Sequence, residues 1–155
     1  MPPDSPLVSE SVLSPDQLPP GVHQELFTLW LGKCTSDRLP GRADFDPREM
    51  PGLLPHITLF DVERAPIRFR IRLVGTAIVD AMGLDTTGMY LDELDNIDAV
   101  QQRAETMSRT REPYFLDGLP LTWTHQNYKN YSTLGLPLAT DGVNVDKLLY
   151  SMMFE

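Results

Sequence analysis

From Ile67 to the C-terminus the hydrophobic period changes in an order that few small folds share: two residues, then short glycine-broken pieces, then a helical repeat, then two residues again. Ile67-Arg68-Phe69-Arg70-Ile71-Arg72-Leu73-Val74-Gly75 alternates strictly and reads as a strand. Gly83, Gly88 and the Thr86-Thr87 pair divide the stretch from Thr76 to Leu94 into short helical turns. From Asp98 to Arg111, Val100, Ala104 and Met107 recur at i, i+4 and i+7. This spacing predicts a longer amphipathic helix facing a sheet, with Asn96 or Asp98 placed to cap it. Tyr114 to Trp123, Asn127 to Leu138 and Val143 to Phe154 read as three strands, turning at His125-Gln126 and at Asp141-Gly142. With Ile57 to Glu63 as one more strand, the pattern is α+β: a five-stranded antiparallel sheet with short helices and one longer helix packed on one face. No internal repeat interrupts it.

The side chains of the first strand pair choose their own register. If Glu63 faces Arg68, Asp61 faces Arg70, while Val62 meets Phe69 and Phe60 meets Ile71 on the other face. A slip of one residue sets Phe60 against Arg70 and Asp61 against Phe69, so the hairpin is well specified. Arg72 is left opposite Leu59 without an acid across the strand. It is expected to be solvated, to meet a carboxylate such as Asp117, or to contact an anion.

Upstream, residues 1 to 21 carry prolines at positions 2, 3, 6, 15, 19 and 20. Such a stretch has too little apolar surface to offset its ordering entropy and reads as a flexible arm preceding a single domain over residues 22–155. Leu7, Val8, Val12 and Leu13 give it an alternative use as a clasp on a partner or dimer mate. His23 to Lys33 clusters Leu26, Phe27, Leu29, Trp30 and Leu31 on a helix. Its bulk exceeds what one small sheet covers, so Leu26, Phe27 and Trp30 are candidate homodimer contacts. Asp46-Pro47-Arg48-Glu49 has the chemistry of a helix start, kept short by Pro51 and Pro55.

Composition narrows the function. The 155 residues allow one core, and no apolar run approaches the ~20 residues that span a bilayer. The N-terminal Met-Pro-Pro-Asp-Ser-Pro lacks the basic and apolar regions of a secretory signal, which leads to a cytoplasmic expectation. A formal charge of -9 disfavours nucleic acid and anionic membrane as partners. Cys34 is the only cysteine, so there is no internal disulfide or multi-cysteine metal site. It is expected to pack at a helix end and stay unreactive. His23, His56 and His125 have no ligand spacing and read as surface or cap residues. No phosphate loop, dinucleotide fingerprint or nucleophile elbow is present.

Two stretches carry a family resemblance. Ala77-Ile78-Val79-Asp80-Ala81-Met82-Gly83-Leu84-Asp85 with Gly88-Met89-Tyr90-Leu91-Asp92-Glu93-Leu94 is similar to the PAS segment in which a helix ends at glycine and a second glycine precedes a short apolar turn. Pro137-Leu138-x-x-Asp141-Gly142 resembles the turn between the last two PAS strands. Leu39-Pro40-Gly41-Arg42-Ala43-Asp44-Phe45-Asp46-Pro47, followed by Arg70-Ile71-Arg72-Leu73-Val74-Gly75-Thr76, resembles the signature of short single-domain PAS proteins found mainly in alphaproteobacteria. That likeness spans roughly residues 23 to 154 and implies no common ligand.

The resemblance implies a PAS-like fold and a ligand position between helices and sheet, which the pattern lines with Arg72, Met82, Leu91, Met107, Trp123 and Tyr131. It disfavours photoreactive flavin, which needs a cysteine on the helical stretch after the second strand, and haem, which needs a histidine on the long helix. The implied role is a sensory or regulatory module of bacterial signal transduction, acting on other signalling proteins, with or without a small ligand. Two rivals stand beside it. One is a small α+β cone-type enzyme, an isomerase or dehydratase, which needs Asp80 or Asp117 in a closed apolar pocket beside Tyr90 or Tyr131. The other is a purely structural homodimer.

Overall fold

A computed structural model describes the backbone of Val8–Ser9 and residues 14–120 and 130–155. Its centre is an antiparallel sheet of strands β1 (Val8–Ser9), β2 (Ile57–Glu63), β3 (Arg68–Val74), β4 (Tyr114–Pro120), β5 (Asn130–Leu138) and β6 (Lys147–Phe154), in the order β1-β4-β5-β6-β2-β3. The five strands expected from periodicity are all present, and β1 adds a two-residue strand at one edge. Helix α1 is Val22–Lys33, α2 is Thr76–Met82 and α3 is Asp98–Thr110.

The β2–β3 hairpin has the register its side chains select: Glu63 opposite Arg68, Asp61 opposite Arg70, Val62 opposite Phe69 and Phe60 opposite Ile71. Beyond Phe60 the pairing shifts, and Leu59 faces Leu73 in place of the expected Arg72. Arg72 is thus the extra residue of a β-bulge, which frees its side chain from the strict alternation of the strand. Past the bulge, Gly75 approaches the chain so closely that a Cβ there would lie 2.3 Å from the Pro55 carbonyl oxygen, a space only glycine fits.

Side chains alternate across the strands, so each strand feeds two cores. On one face Leu59, Phe115, Leu134, Leu136 and Leu149 join α1; on the other Phe60, Leu116, Tyr131, Leu148 and Tyr150 join α3. Leu26, Phe27 and Trp30 of α1 are 0%, 0% and 5% exposed, in one apolar cluster with Leu18, Phe45, Met50 and Leu53. The Trp30 indole nitrogen donates to the Pro137 carbonyl at 3.1 Å. The expected dimer contact through these three residues is therefore corrected. Irregular chain on the far side of the helix covers the surface that the sheet leaves over.

Three smaller expectations also change. The arm was expected to reach Gly21, yet residues 14–21 are folded onto the domain: Ser14 caps the 3-10 turn Pro15–Gln17, and Leu18 is buried. Val8 lies in β1, whereas Leu7, Val12 and Leu13 fall outside the described residues. His23 is a core residue and not a surface one, its ring nitrogens 2.7 Å from the Ser151 hydroxyl and 2.8 Å from that of Ser132. The N-cap of α3 is Ile97, with no side-chain hydrogen bond, in place of Asn96 or Asp98. The Asp46 cap appears as expected, its carboxylate accepting from the Arg48 backbone N–H at 2.9 Å, although the helix it starts is a single 3-10 turn, Pro47–Glu49.

Candidate functional site

Between α3, α2 and the turn Leu91–Glu93 on one side and the sheet on the other lies a cavity of about 500 Å³. Its sheet wall comes from five strands: Thr58 and Phe60 of β2, Ile71 and Val74 of β3, Tyr114 of β4, Tyr131 and Thr133 of β5, and Tyr150 and Met152 of β6. Its helical wall comes from Ile78 and Met82 of α2, Leu91 of the turn, and Val100 and Arg103 of α3. At one end, Gly135 of β5 makes room for aromatic groups. A Cβ at that position would stand 2.8 Å from a Tyr114 ring carbon and 3.0 Å from one of Tyr150, with the Met107 methyl at 3.1 Å. The absent side chain is what lets two tyrosines and a methionine share one site under α3.

A polar cluster interrupts this apolar lining. The Tyr114 hydroxyl donates to that of Tyr150 at 3.4 Å, the two rings meeting edge to face. Arg103 lies on the same wall, close enough for its charge to act on Tyr114 and Tyr131. Burial pushes all three phenols above their ordinary pKa, so they remain neutral at physiological pH. The Arg103 Nε is buried and has no hydrogen-bond partner. Among the described residues, no carboxylate lies within ion-pair distance of its guanidinium. Glu93 and Asp95, which also line the cavity, are exposed and belong to its rim.

Of the six residues assigned to the pocket from the pattern, Met82, Leu91 and Tyr131 line it. Met107 is buried in the adjoining core without facing the opening. Trp123 lies outside the described residues, as does His125. Arg72 is not part of the cavity wall. The bulge directs it to Asp61, whose carboxylate accepts from Arg72 Nε at 2.6 Å and from Lys147 Nζ at 3.0 Å. The expected partner Asp117 is replaced by an acid on the neighbouring strand. Burial alone would raise the Asp61 carboxyl, but hydrogen bonds and charge from Arg72 and Lys147 outweigh it and hold the group below the usual carboxylate range.

The members that pattern reading missed are Arg103, Tyr114 and Tyr150. One signal was available: Arg103 sits three residues after Val100 and four before Met107, a charge on the buried stripe of α3.

A second hollow of about 450 Å³ lies on the α1 side, among Phe45, Met50, Leu54, Leu73 and Leu149. Arg42 is its one charged lining residue, so it lacks a convergent polar set. Asp80 and Asp117 are exposed, which removes the buried carboxylate that the cone-enzyme rival requires. Cys34 caps the end of α1, and burial pushes its thiol up to about 11, leaving it protonated at neutral pH. Among the described residues no cluster of histidine, cysteine and acidic side chains could hold a metal ion.

A family model described as PAS domain matches residues 20–149. The chain belongs to the PAS domain family. No curated protein matches it. Among solved structures it is similar to the PAS domain of histidine kinase ThkA, at 14% identity and a TM-score of 0.47, the match covering 63% of this chain and 97% of that one. In this PAS domain the cavity lies where the sequence resemblance put it, between the helices and the sheet. No helix among the described residues is long and apolar enough to cross a membrane. Family membership makes the chain a sensory signalling module.

Proposed function

We propose that this PAS domain takes a small organic molecule into the cavity beneath α3 and passes its occupancy on by association with other signalling proteins of the bacterial cytoplasm. The observation that carries the reading is the cavity itself. Its volume of about 500 Å³ falls within the ~300–1,000 Å³ of small-molecule sites, and few polar groups converge in a mainly apolar wall. A fold of this kind hosts many functions, so the site and not the architecture decides.

Mass spectrometry of the full chain, purified and released under non-denaturing conditions, tests this directly. The expected result is one or a few small molecules in stoichiometric amount, lost when Val100→Trp fills the cavity from α3. A library screen by thermal shift is the second arm, since a ligand at 100 times its Kd adds about 2.7 kcal/mol to the folded state. A chain that copurifies with nothing and is stabilised by no library member is a protein-interaction module without a ligand.

A further inference from the structure

The polar end of the cavity narrows the chemistry of the ligand further, an inference that rests on the ligand-binding reading above. Arg103 brings a permanent positive charge to the cavity wall, with a buried Nε that has no acceptor. Its neighbours Tyr114 and Tyr131 are neutral phenols and do not compensate its charge. A guanidinium partly withdrawn from water without a counter-ion is costly, and no described carboxylate supplies one. The arrangement is complementary to an anion. A carboxylate suits it best, since its two coplanar oxygens match the edge of a guanidinium and accept from phenol hydroxyls as well.

Two observations argue against a multiply charged head. Exposed Glu93 and Asp95 line the rim, and the chain as a whole carries -9. A dianionic phosphate would meet both on entry and would surrender more hydration than one arginine returns. The remaining wall, with Ile78, Met82 and Leu91, is apolar and requires an apolar body. We propose that the cavity receives an organic monocarboxylate with an apolar body, its head held by the Arg103 guanidinium and the Tyr131 hydroxyl.

The test is a calorimetric titration of the full chain with octanoate and 2-naphthoate, each against the alcohol of the same body, 1-octanol and 2-naphthol, and against octyl phosphate. At least one acid is expected to bind about tenfold or more tightly than its alcohol and than the phosphate, a difference of about 1.4 kcal/mol. Arg103→Met should remove that preference while leaving the alcohol within about threefold, and Arg103→Lys, which keeps the charge but loses the fork, should restore only part of it. If Arg103→Met does not fold, Tyr131→Phe must lower affinity for the acid several-fold more than for the alcohol. Equal binding of acid and alcohol, tighter binding of the phosphate, or equal losses in the variant overturn the monocarboxylate while the cavity reading stands. Binding of none of the probes, together with no copurifying molecule, overturns both.

Discussion

Asp61 shows how a residue between two strands keeps one partner its position offers and exchanges the other. The backbone register sets it opposite Arg70 of β3 and Lys147 of β6, and its carboxylate is held by Lys147 and, in place of Arg70, by Arg72 of the bulge. Arg68 likewise leaves Glu63 for Asp92, bonding it at 2.8 Å while its guanidinium lies 3.6 Å from the centre of the Tyr90 ring; the Tyr90 hydroxyl donates to Glu63 at 2.9 Å. Cross-strand charges are thus legible as a register, whereas long side chains choose their final partners from three dimensions. Arg72 has 61% of its side chain exposed and Asp61 only 12%. Arg72→Met should therefore cost only about 0.5–1 kcal/mol, because Lys147 remains. Removing both cations leaves a mostly buried carboxylate alone, so the double variant should lose about 1 kcal/mol or more beyond the sum of the single losses in urea denaturation.

His23 supplies the pH dependence. Burial lowers its pKa from 6.5 to about 4; the Asp117 charge opposes this shift and His56 reinforces it. The unfolded chain binds this proton below pH 6.5 and the folded chain only near pH 4, so the unfolded state holds more protons in that window. The stability contribution is complete above 6.5 and falls away as the pH drops towards 4, by up to about 3 kcal/mol. Denaturation midpoints across this range should show the loss, and His23→Gln should flatten it. Nothing in the sequence marks His23 as buried, because its partners Ser132 and Ser151 lie more than 100 residues away.

Among the elements, those with a clean period were legible. The stripe of α3 and the pairing pattern of β2 and β3 place all three elements to within a residue or two. Helix α1 was located correctly but misread in its role. Its apolar residues extend around more than one face, and their second cover is Leu18 with Phe45, Met50 and Leu53 from stretches that have no period to read. An overhang on paper is a sandwiched helix in space. Phe27→Ala should accordingly destabilise the fold by about 3–5 kcal/mol, the range for truncating a buried aromatic, instead of releasing a stable monomer. Equilibrium denaturation together with sedimentation separates the two outcomes: a folded, less associated Phe27→Ala chain would restore the dimer contact.

For the molecule as a whole, the fold could be read from the order of its periods, but the cavity could not. Empty space depends on how side chains pack in three dimensions, and the close fit of Tyr114, Tyr150 and Met107 over Gly135 shows in the sequence only as one glycine in a strand. The polar end was hidden for a related reason: Arg103, Tyr114, Tyr131 and Tyr150 come from α3, β4, β5 and β6, elements whose juxtaposition only the sheet order reveals. Gly135→Val should collide with the tyrosine pair and cost about 1–3 kcal/mol of overpacking. It should also move the near-ultraviolet circular dichroism of the tyrosines without changing the far-ultraviolet spectrum.

The sheet that floors the cavity is one layer thick, and His23 grips it from behind. Ser132 lies between Tyr131 and Thr133, and Ser151 between Tyr150 and Met152, so both serines that hold the α1 imidazole are flanked in the chain by cavity-wall residues. A side chain that shifts to make way for a guest pulls on a peptide whose neighbour is pinned to the opposite helix. The imidazole is thereby a strain gauge wired to the far side of the sheet. Its two ring nitrogen resonances should move on loading the cavity, even though no guest comes near the ring, and they should stay still in the Val100→Trp chain.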